Sequence, residues 1–372
     1  MRFIGYFPGA DFSSDSQYGR QTHVYKLIQY IGARDDLTST FYLDDPNGNF
    51  GAYDVRTVTW SDSFINRLAD EVARARALIR EIRASSDPVV IYCREAPDFA
   101  PTLAARLTDA ALIVEANSAH DEDRADFRDS LVTYYQHRLL RELKWRTADR
   151  IIAVSDAIAD VFRTQKKLQN VEVVENGVDE ELFSIHQPVS SAPPRTICYV
   201  GGLQAWQNID LMLRVVAELQ TDVRFVVVGG TGEEVARLEA LAADLDIKDT
   251  VTFVGRVDHD EVPEFVNDSD LCFGPFQEVR QASPLKIYEY LACGREVVTV
   301  NDTGLEFLES YPGIHRLSHT NLDDLASKVD SILADVTTNE EGASYVRENR
   351  SWRAIADHTV DICRETIASS TE

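Results

Sequence analysis

The chain has 372 residues, with 37 Lys+Arg against 62 Asp+Glu and a formal net charge of −25. That length accommodates two domains with full cores, and so negative a chain is a poor partner for nucleic acid, whose phosphates repel it. Only seven of the cations are lysine. A surface rich in Asp, Glu and Arg is tolerable where salt shortens the Debye length to about 3 Å at 1 M, so the composition points to a halophile's cytoplasm, with an acidic mesophilic protein as the alternative.

The five cysteines (Cys93, Cys198, Cys272, Cys293, Cys363) form no C-x-x-C pair and sit mostly in apolar runs. That is the usage of small buried hydrophobes in a reducing compartment. No His/Cys/Asp/Glu cluster has metal-ligand spacing, so no metal is expected. Met1-Arg-Phe-Ile-Gly runs straight into a strand pattern with no signal peptide, and no apolar run approaches the ~20 residues needed to span a bilayer. A cytoplasmic protein is expected, one that could still touch the inner membrane face.

In chain order the apolar pattern alternates strand and helix. Phe3–Phe7 reads as a strand, then His23–Ile31 as a helix, Val55–Trp60 as a strand and Ile65–Arg83 as a long helix. Val89–Cys93 and Ala111–Val114 are short strands flanking a helix at Thr102–Leu107, and Arg150–Val154 and Val171–Val174 continue the series. Gln187-Pro-Val-Ser-Ser-Ala-Pro-Pro194 reads as a linker, because proline cannot donate to a sheet. Beyond it the rhythm restarts with strands at Ile197–Val200, Arg224–Val228, Val251–Val254, Leu271–Phe273 and Val297–Val300. Helices at Ile209–Leu219, Val235–Ala243, Val262–Val266 and Ile287–Cys293 separate them. A last helix, Trp352–Ile367, could pack back on either domain. Alternating strands and helices give parallel sheets, hence an α/β architecture of two doubly wound domains.

In such sheets ligands bind outside the carboxyl ends of the strands. Gly201 and Gly202 end one strand and Gly229 and Gly230 the next, where glycine permits close approach. Neither forms G-x-G-x-x-G, and there is no P-loop. Gly255-Arg256-Val257 ends a third strand. The fourth loop is the most informative. Ser283 suits an N-cap and Pro284 a first helical position, so a helix begins there with free N–H groups and a positive dipole end, a diphosphate site in waiting. Lys286 adds charge in its first turn, and Glu289 lies near the same face, able to accept from ribose hydroxyls. On physical grounds alone an ordinary helix start with a Lys–Glu pair explains these residues equally well.

Ser283-Pro-Leu-Lys-Ile-Tyr-Glu-Tyr-Leu-Ala-Cys-Gly294 resembles the donor-binding motif of retaining glycosyltransferase family 4, the group 1 transferases of the GT-B fold. Arg150–Ser155, Val174–Asp179, Tyr199–Leu203 with Trp206, Val226–Gly232, Val251–Gly255 and Ser351-Trp352 match that family in kind and order, so the resemblance spans essentially the whole chain. It implies two Rossmann-like domains facing across a cleft: an acceptor-binding domain over 1–187 and a donor-binding domain over 195–352, with 353–372 returning to the first. By resemblance Glu289 binds the donor ribose, and Pro284, Leu285 and Lys286 face the diphosphate. Gly255, Arg256 and Val257 cradle the base, Gly201, Gly202 and Gly229 line the phosphate cleft, and Gly19 lies across it. The donor is a substrate, UDP- or GDP-linked, and no separate cofactor is implied.

Three positions depart from the pattern, and the Gly294-Arg-Glu-Val-Val298 run lacks the family's usual proline. Gln281 stands where the family has a glutamate that contacts the sugar. Gly202 and Gln207 replace an arginine and a lysine that neutralise the diphosphate; Arg280 and Lys286 are the nearest substitutes. On the acceptor side Glu115, Asn117 and His120 follow a strand end, with Arg94 a further candidate. No catalytic nucleophile is required, because electrostatic stabilisation of the departing diphosphate does much of the work. The expected acceptor is a glycan or a lipid-linked sugar. Arg124–Arg150 is net basic with interleaved aromatic and aliphatic residues, fitting either an anionic membrane or a core-packing helix with paired arginines. The rival readings are a nucleotide-sugar epimerase and a degenerate donor-binding or partner-binding member of the fold.

Overall fold

A computed structural model describes residues 1–11, 18–45, 50–58, 64–117, 131–190, 192–276, 284–300, 306–318 and 321–370. The chain divides into two compact units, Met1–Asn176 with Trp352–Glu372, and Gly177–Ser351.

The first unit is built on β1 (Arg2–Asp11), β2 (Thr38–Asp45), β3 (Val55–Thr57), β4 (Val89–Arg94), β5 (Ala111–Ala116), β6 (Arg150–Ala153) and β7 (Val171–Val173). They pair in parallel in the order β3-β2-β1-β4-β5-β6-β7. Every residue of β4 and β5 is buried, as befits central strands covered on both faces. The connections are α1 (Tyr18–Gly32), α2 (Phe64–Ala84), α3 (Ala100–Arg106), α4 (Leu131–Thr147) and α5 (Asp156–Asp160). The strand order reverses between β1 and β4, which opens the crevice where doubly wound sheets bind ligands.

The second unit holds β8 (Arg195–Val200), β9 (Val223–Val228), β10 (Val251–Gly255), β11 (Leu271–Gly274), β12 (Glu296–Val300) and β13 (Ile314–Leu317). These too are all parallel, ordered β10-β9-β8-β11-β12-β13, so the switch point falls between β8 and β11. Its helices are α6 (Ile209–Glu218), α7 (Gly232–Asp244), α8 (Val262–Asn267), α9 (Leu285–Ala292), α10 (Leu322–Asp335) and α11 (Glu340–Arg350). The final helix, α12 (Trp352–Ser370), belongs to the first unit, where it packs on α1 and is tied by the ion pairs Arg34–Asp357 and Arg364–Asp36.

The division between units differs from the sequence reading of 1–187 and 195–352. The chain crosses at Asn176–Gly177 and returns at Ser351–Trp352. Val178 and Phe183 are buried in the second core, and Val178 bridges to Ser351. The proline-bearing stretch is no free linker: His186 N–H donates to Asn267, Val189 N–H to Thr338, and Ser190 N–H to Asp270, at 2.9 Å each. Strands β2 and β13 and helices α10 and α11 were not picked out from the sequence. All five cysteines are buried and unpaired. Burial pushes the Cys93 and Cys272 thiols up to about 12, consistent with small inert hydrophobes.

Candidate active site

The carboxyl ends of β8, β9 and β10 are laced together by their glycines. Gly201 N–H donates to the Val228 carbonyl at 2.9 Å and Gly229 N–H to the Gly255 carbonyl at 2.7 Å. These two N–H groups are therefore spent on the sheet, and what the glycines supply to a ligand is space. Gly201 and Gly229 adopt φ of +145° and +116°, and a Cβ on Gly229 would overlap the Gly201 carbonyl. Gly229→Ala is accordingly expected to destabilise the protein by about 1–3 kcal/mol, read as a lower urea midpoint with unchanged slope.

The opposite side of the switch point is the start of α9. Pro284 is its N-cap, in extended conformation and without a side-chain cap bond, so the helix begins at Leu285, one residue later than the sequence suggested. Ile287, Tyr290 and Leu291 bury its inner face. The Tyr290 hydroxyl accepts from Val200 N–H at 2.7 Å, which pins α9 to the end of β8. That fixes the first turn beside Gly201.

Lys286 projects from this turn. Its ammonium donates to the Tyr199 hydroxyl and to the Gln207 side-chain oxygen, both at 2.9 Å, and stands 4.3 Å from the centre of the Tyr199 ring. A Cβ on Gly201 would lie 2.5 Å from Nζ, so a larger residue there would make the ammonium move from this position. These neighbours are polar or aromatic but uncharged. Desolvation pulls the amine down to about 7, against the opposing pull of Glu289. The cation thus reaches the very side chain, Gln207, that stands where the resembling family carries its lysine.

Glu289 lies one turn on and half-buried, with Oε1 2.9 Å from His259 Nε2. His259 follows the Gly255-Arg256-Val257 segment and rests on Phe183, with ring centres 5.2 Å apart. Sequence reading passed over His259; the only signal was its place in the acidic run after Val257. Arg256 is exposed, Val257 packs on the second core, and Gly255 has open space where a Cβ would be. Trp206, 47% exposed, stacks on Phe276 with 6.3 Å between centres, and Phe276 in turn lies 5.3 Å from the Lys286 ammonium. Arg280, Gln281 and Ser283 lie outside the described residues, as does His120.

In the first unit Gly19 lies in the first turn of α1. Glu115, at the end of β5, is fully buried. Its carboxylate is met by Tyr92 Oη at 2.6 Å, Asn117 Nδ2 at 2.9 Å, Arg94 Nε at 3.0 Å and His23 Nε2 at 3.0 Å. His23 and Arg94 outweigh desolvation and hold it far below the usual carboxylate range. An oxygen pair so occupied has no surface to offer an acceptor, which turns the sequence-predicted contact residue into an anchor. Asn117 is the half-buried member of this group, and its N–H also donates to Glu95 at 3.1 Å. His23 Nδ1 lies 2.8 Å from Asn176 Oδ1, and its ring is 5.0 Å from Trp352. Both were missed in the sequence, since the partners are far apart along the chain.

The model of "Glycosyl transferases group 1" matches 183–350, and that of "Glycosyltransferase Family 4" matches 19–182. Together they take in almost the entire chain. It belongs to the group 1 glycosyltransferases. The gpi3 subunit of a phosphatidylinositol N-acetylglucosaminyltransferase from Schizosaccharomyces pombe is 26% identical to this group 1 member over 229 residues, 58% of this chain and 49% of that protein. The chain spans about half the length of the curated relatives it matches. Among solved structures, a sucrose-phosphate synthase from Thermosynechococcus elongatus has a TM-score of 0.75 at 18% identity, covering 99% of this chain and 100% of that one. HepE from Anabaena, solved with UDP, has a TM-score of 0.71 at 16% identity with 99% and 100% coverage. These likenesses establish the two-domain GT-B fold, with parallel seven- and six-stranded sheets.

Proposed function

We propose that this group 1 member transfers a sugar, with retention of anomeric configuration, from a nucleoside diphosphate sugar to a glycan or lipid-linked acceptor in surface glycan assembly. The observation that carries the reading is the Lys286 ammonium held against Gly201 at the start of α9, with Glu289 one turn on. The helix N-terminus and Lys286 meet the diphosphate, and Glu289, oriented by His259, accepts from the ribose hydroxyls. In the reaction the bond from C1 to the β-phosphate oxygen breaks. The acceptor hydroxyl oxygen bonds to C1 on the same face, and its proton leaves with the nucleoside diphosphate. Stabilising that departing charge is the main catalytic task.

The Anabaena structure with UDP makes a uridine donor the first to try, with GDP second. Thermal unfolding in molar KCl with UDP, GDP and ADP tests the reading. A nucleotide at 100 times its dissociation constant is expected to add about 2.7 kcal/mol, and Glu289→Ala to abolish the gain. No gain from any of the three would overturn it. A second reading, a donor-binding subunit needing a partner for turnover, draws on the relative named as a subunit. Turnover by the isolated chain would eliminate it.

A further inference from the structure

The basic stretch noted in the sequence splits, in the structure, into an inner and an outer set. Lys144 is fully buried and paired with Asp98 at 2.8 Å, and Arg141 is buried with Glu95 at 3.4 Å. Those two cations serve the first unit's interior. Trp145, between the Arg141 and Lys166 cations, is buried as well.

The outer face of α4 is different. Tyr135, Leu139 and Leu143 are 57%, 69% and 47% exposed. They are spaced i, i+4, i+8 and so form one stripe, about 12 Å long at 1.5 Å per residue. Eight large hydrophobic residues are exposed among those described, and three are on this one helix; the others lie singly on separate elements. Single exposed leucines are ordinary, whereas an aligned row marks a contact surface.

Exposed Arg138 and Arg146 flank the row. Lys166 lies beside it, 3.3 Å from Glu142, followed by exposed Lys167. Glu142 is engaged by both Arg146, at 2.7 Å, and Lys166. Among the described residues of this face, Arg138, Arg146, Lys166 and Lys167 outnumber Glu142 on a chain of −25, and two of the chain's seven lysines are in it. No described helix is long and apolar enough to cross a membrane. An apolar ridge bordered by Arg and Lys is instead the form that lies in the plane of a bilayer, side chains in the acyl boundary and cations at the headgroups.

We propose that α4, through Tyr135, Leu139 and Leu143 with Arg138, Arg146, Lys166 and Lys167, docks the protein on an anionic lipid surface. The charge selects the partner: in a symmetric pair of copies this face would meet its own like charge, whereas an anionic bilayer offers the opposite sign along the whole row. Neither the donor site nor its proposed activity enters this argument, so each stands or falls alone.

The test is co-sedimentation of the full chain with vesicles of equal parts phosphatidylglycerol and phosphatidylcholine, against phosphatidylcholine alone. Binding to the anionic vesicles is expected at about 0.1 M KCl and weaker binding at about 1 M, where the Debye length drops from about 10 to 3 Å. Leu139→Glu/Leu143→Glu and Arg138→Glu/Arg146→Glu should each reduce the partition coefficient at least about tenfold. Leu107→Glu, an exposed leucine elsewhere, should leave it unchanged, and all three variants should keep the wild-type unfolding midpoint. Equal binding to both vesicle types, or anionic binding untouched by the α4 variants, would overturn the proposal. So would a dimer in solution that the α4 variants dissociate while the wild type ignores vesicles, which would make the face a protein interface.

Discussion

Lys286→Met is expected to raise the unfolding midpoint of the nucleotide-free protein at pH 7 while cutting donor turnover by about 10²–10³. The two effects have one cause. An unfolded lysine keeps its proton to about pH 10.4, whereas burial among uncharged neighbours brings the folded amine down to about 7. Between those values the unfolded chain binds more protons than the folded one, so wild-type stability rises with pH across that window. Below pH 7 both states are protonated and the folded state carries the full cost of a poorly solvated charge. Methionine fills the same volume without that cost, and the variant should lose this rise with pH.

A diphosphate supplies the missing anion and should push the Lys286 amine back up. Above pH 7, binding must then take up a proton, and affinity for the nucleoside diphosphate should fall by up to tenfold per pH unit. Calorimetry at pH 8 in two buffers of different ionisation enthalpy reads that uptake directly, and Lys286→Met should abolish it. A variant less stable than wild type with turnover intact would reduce Lys286 to a structural residue. Storing a strained charge where the proposed substrate would neutralise it is the usual exchange of stability for activity.

Much of this was legible in the sequence because parallel sheets write themselves as apolar runs. Central strands such as Val89–Arg94, buried throughout, gave clear signals. Ile314–Leu317 did not: an edge strand half-buried at each residue has neither a continuous run nor a strong alternation. The unit boundary was misjudged for a related reason. Prolines advertise a linker, but side chains such as Asp270 hold this stretch to the second unit, and nothing local reveals partners 80 residues away. The proposed donor site was legible at α9, where a lysine and a glutamate follow a capping proline within two turns. It was illegible where it depends on distant pairs, as in Lys286 with Gln207 and Glu289 with His259. Glu115 reads differently in the fold because a carboxylate at a strand end normally faces solvent or ligand, whereas here four donors gather around it.

Glu115→Ala is expected to destabilise the protein by about 3–5 kcal/mol, the cost of removing one partner from a buried ionic group. The substitution strips Arg94, Tyr92 and His23 of their common acceptor in a region from which water is excluded. Glu115→Gln keeps the volume and one acceptor oxygen, so its loss should be smaller. The pH dependence follows from the depressed carboxylate. Its contribution is present above the unfolded value of about 4.3 and is lost as pH falls from there toward the folded value. The gap between wild type and Glu115→Gln in urea should therefore narrow as pH drops below about 4. The same network reaches both places where the chain leaves and re-enters this unit, because His23 holds Asn176 at 2.8 Å and contacts Trp352. A positioning role predicts lowered stability with nucleotide affinity unchanged, since the proposed donor residues belong to the other unit. A residue that touched acceptor would instead lose turnover at constant stability, and comparing urea midpoints with kcat for Glu115→Gln separates the two.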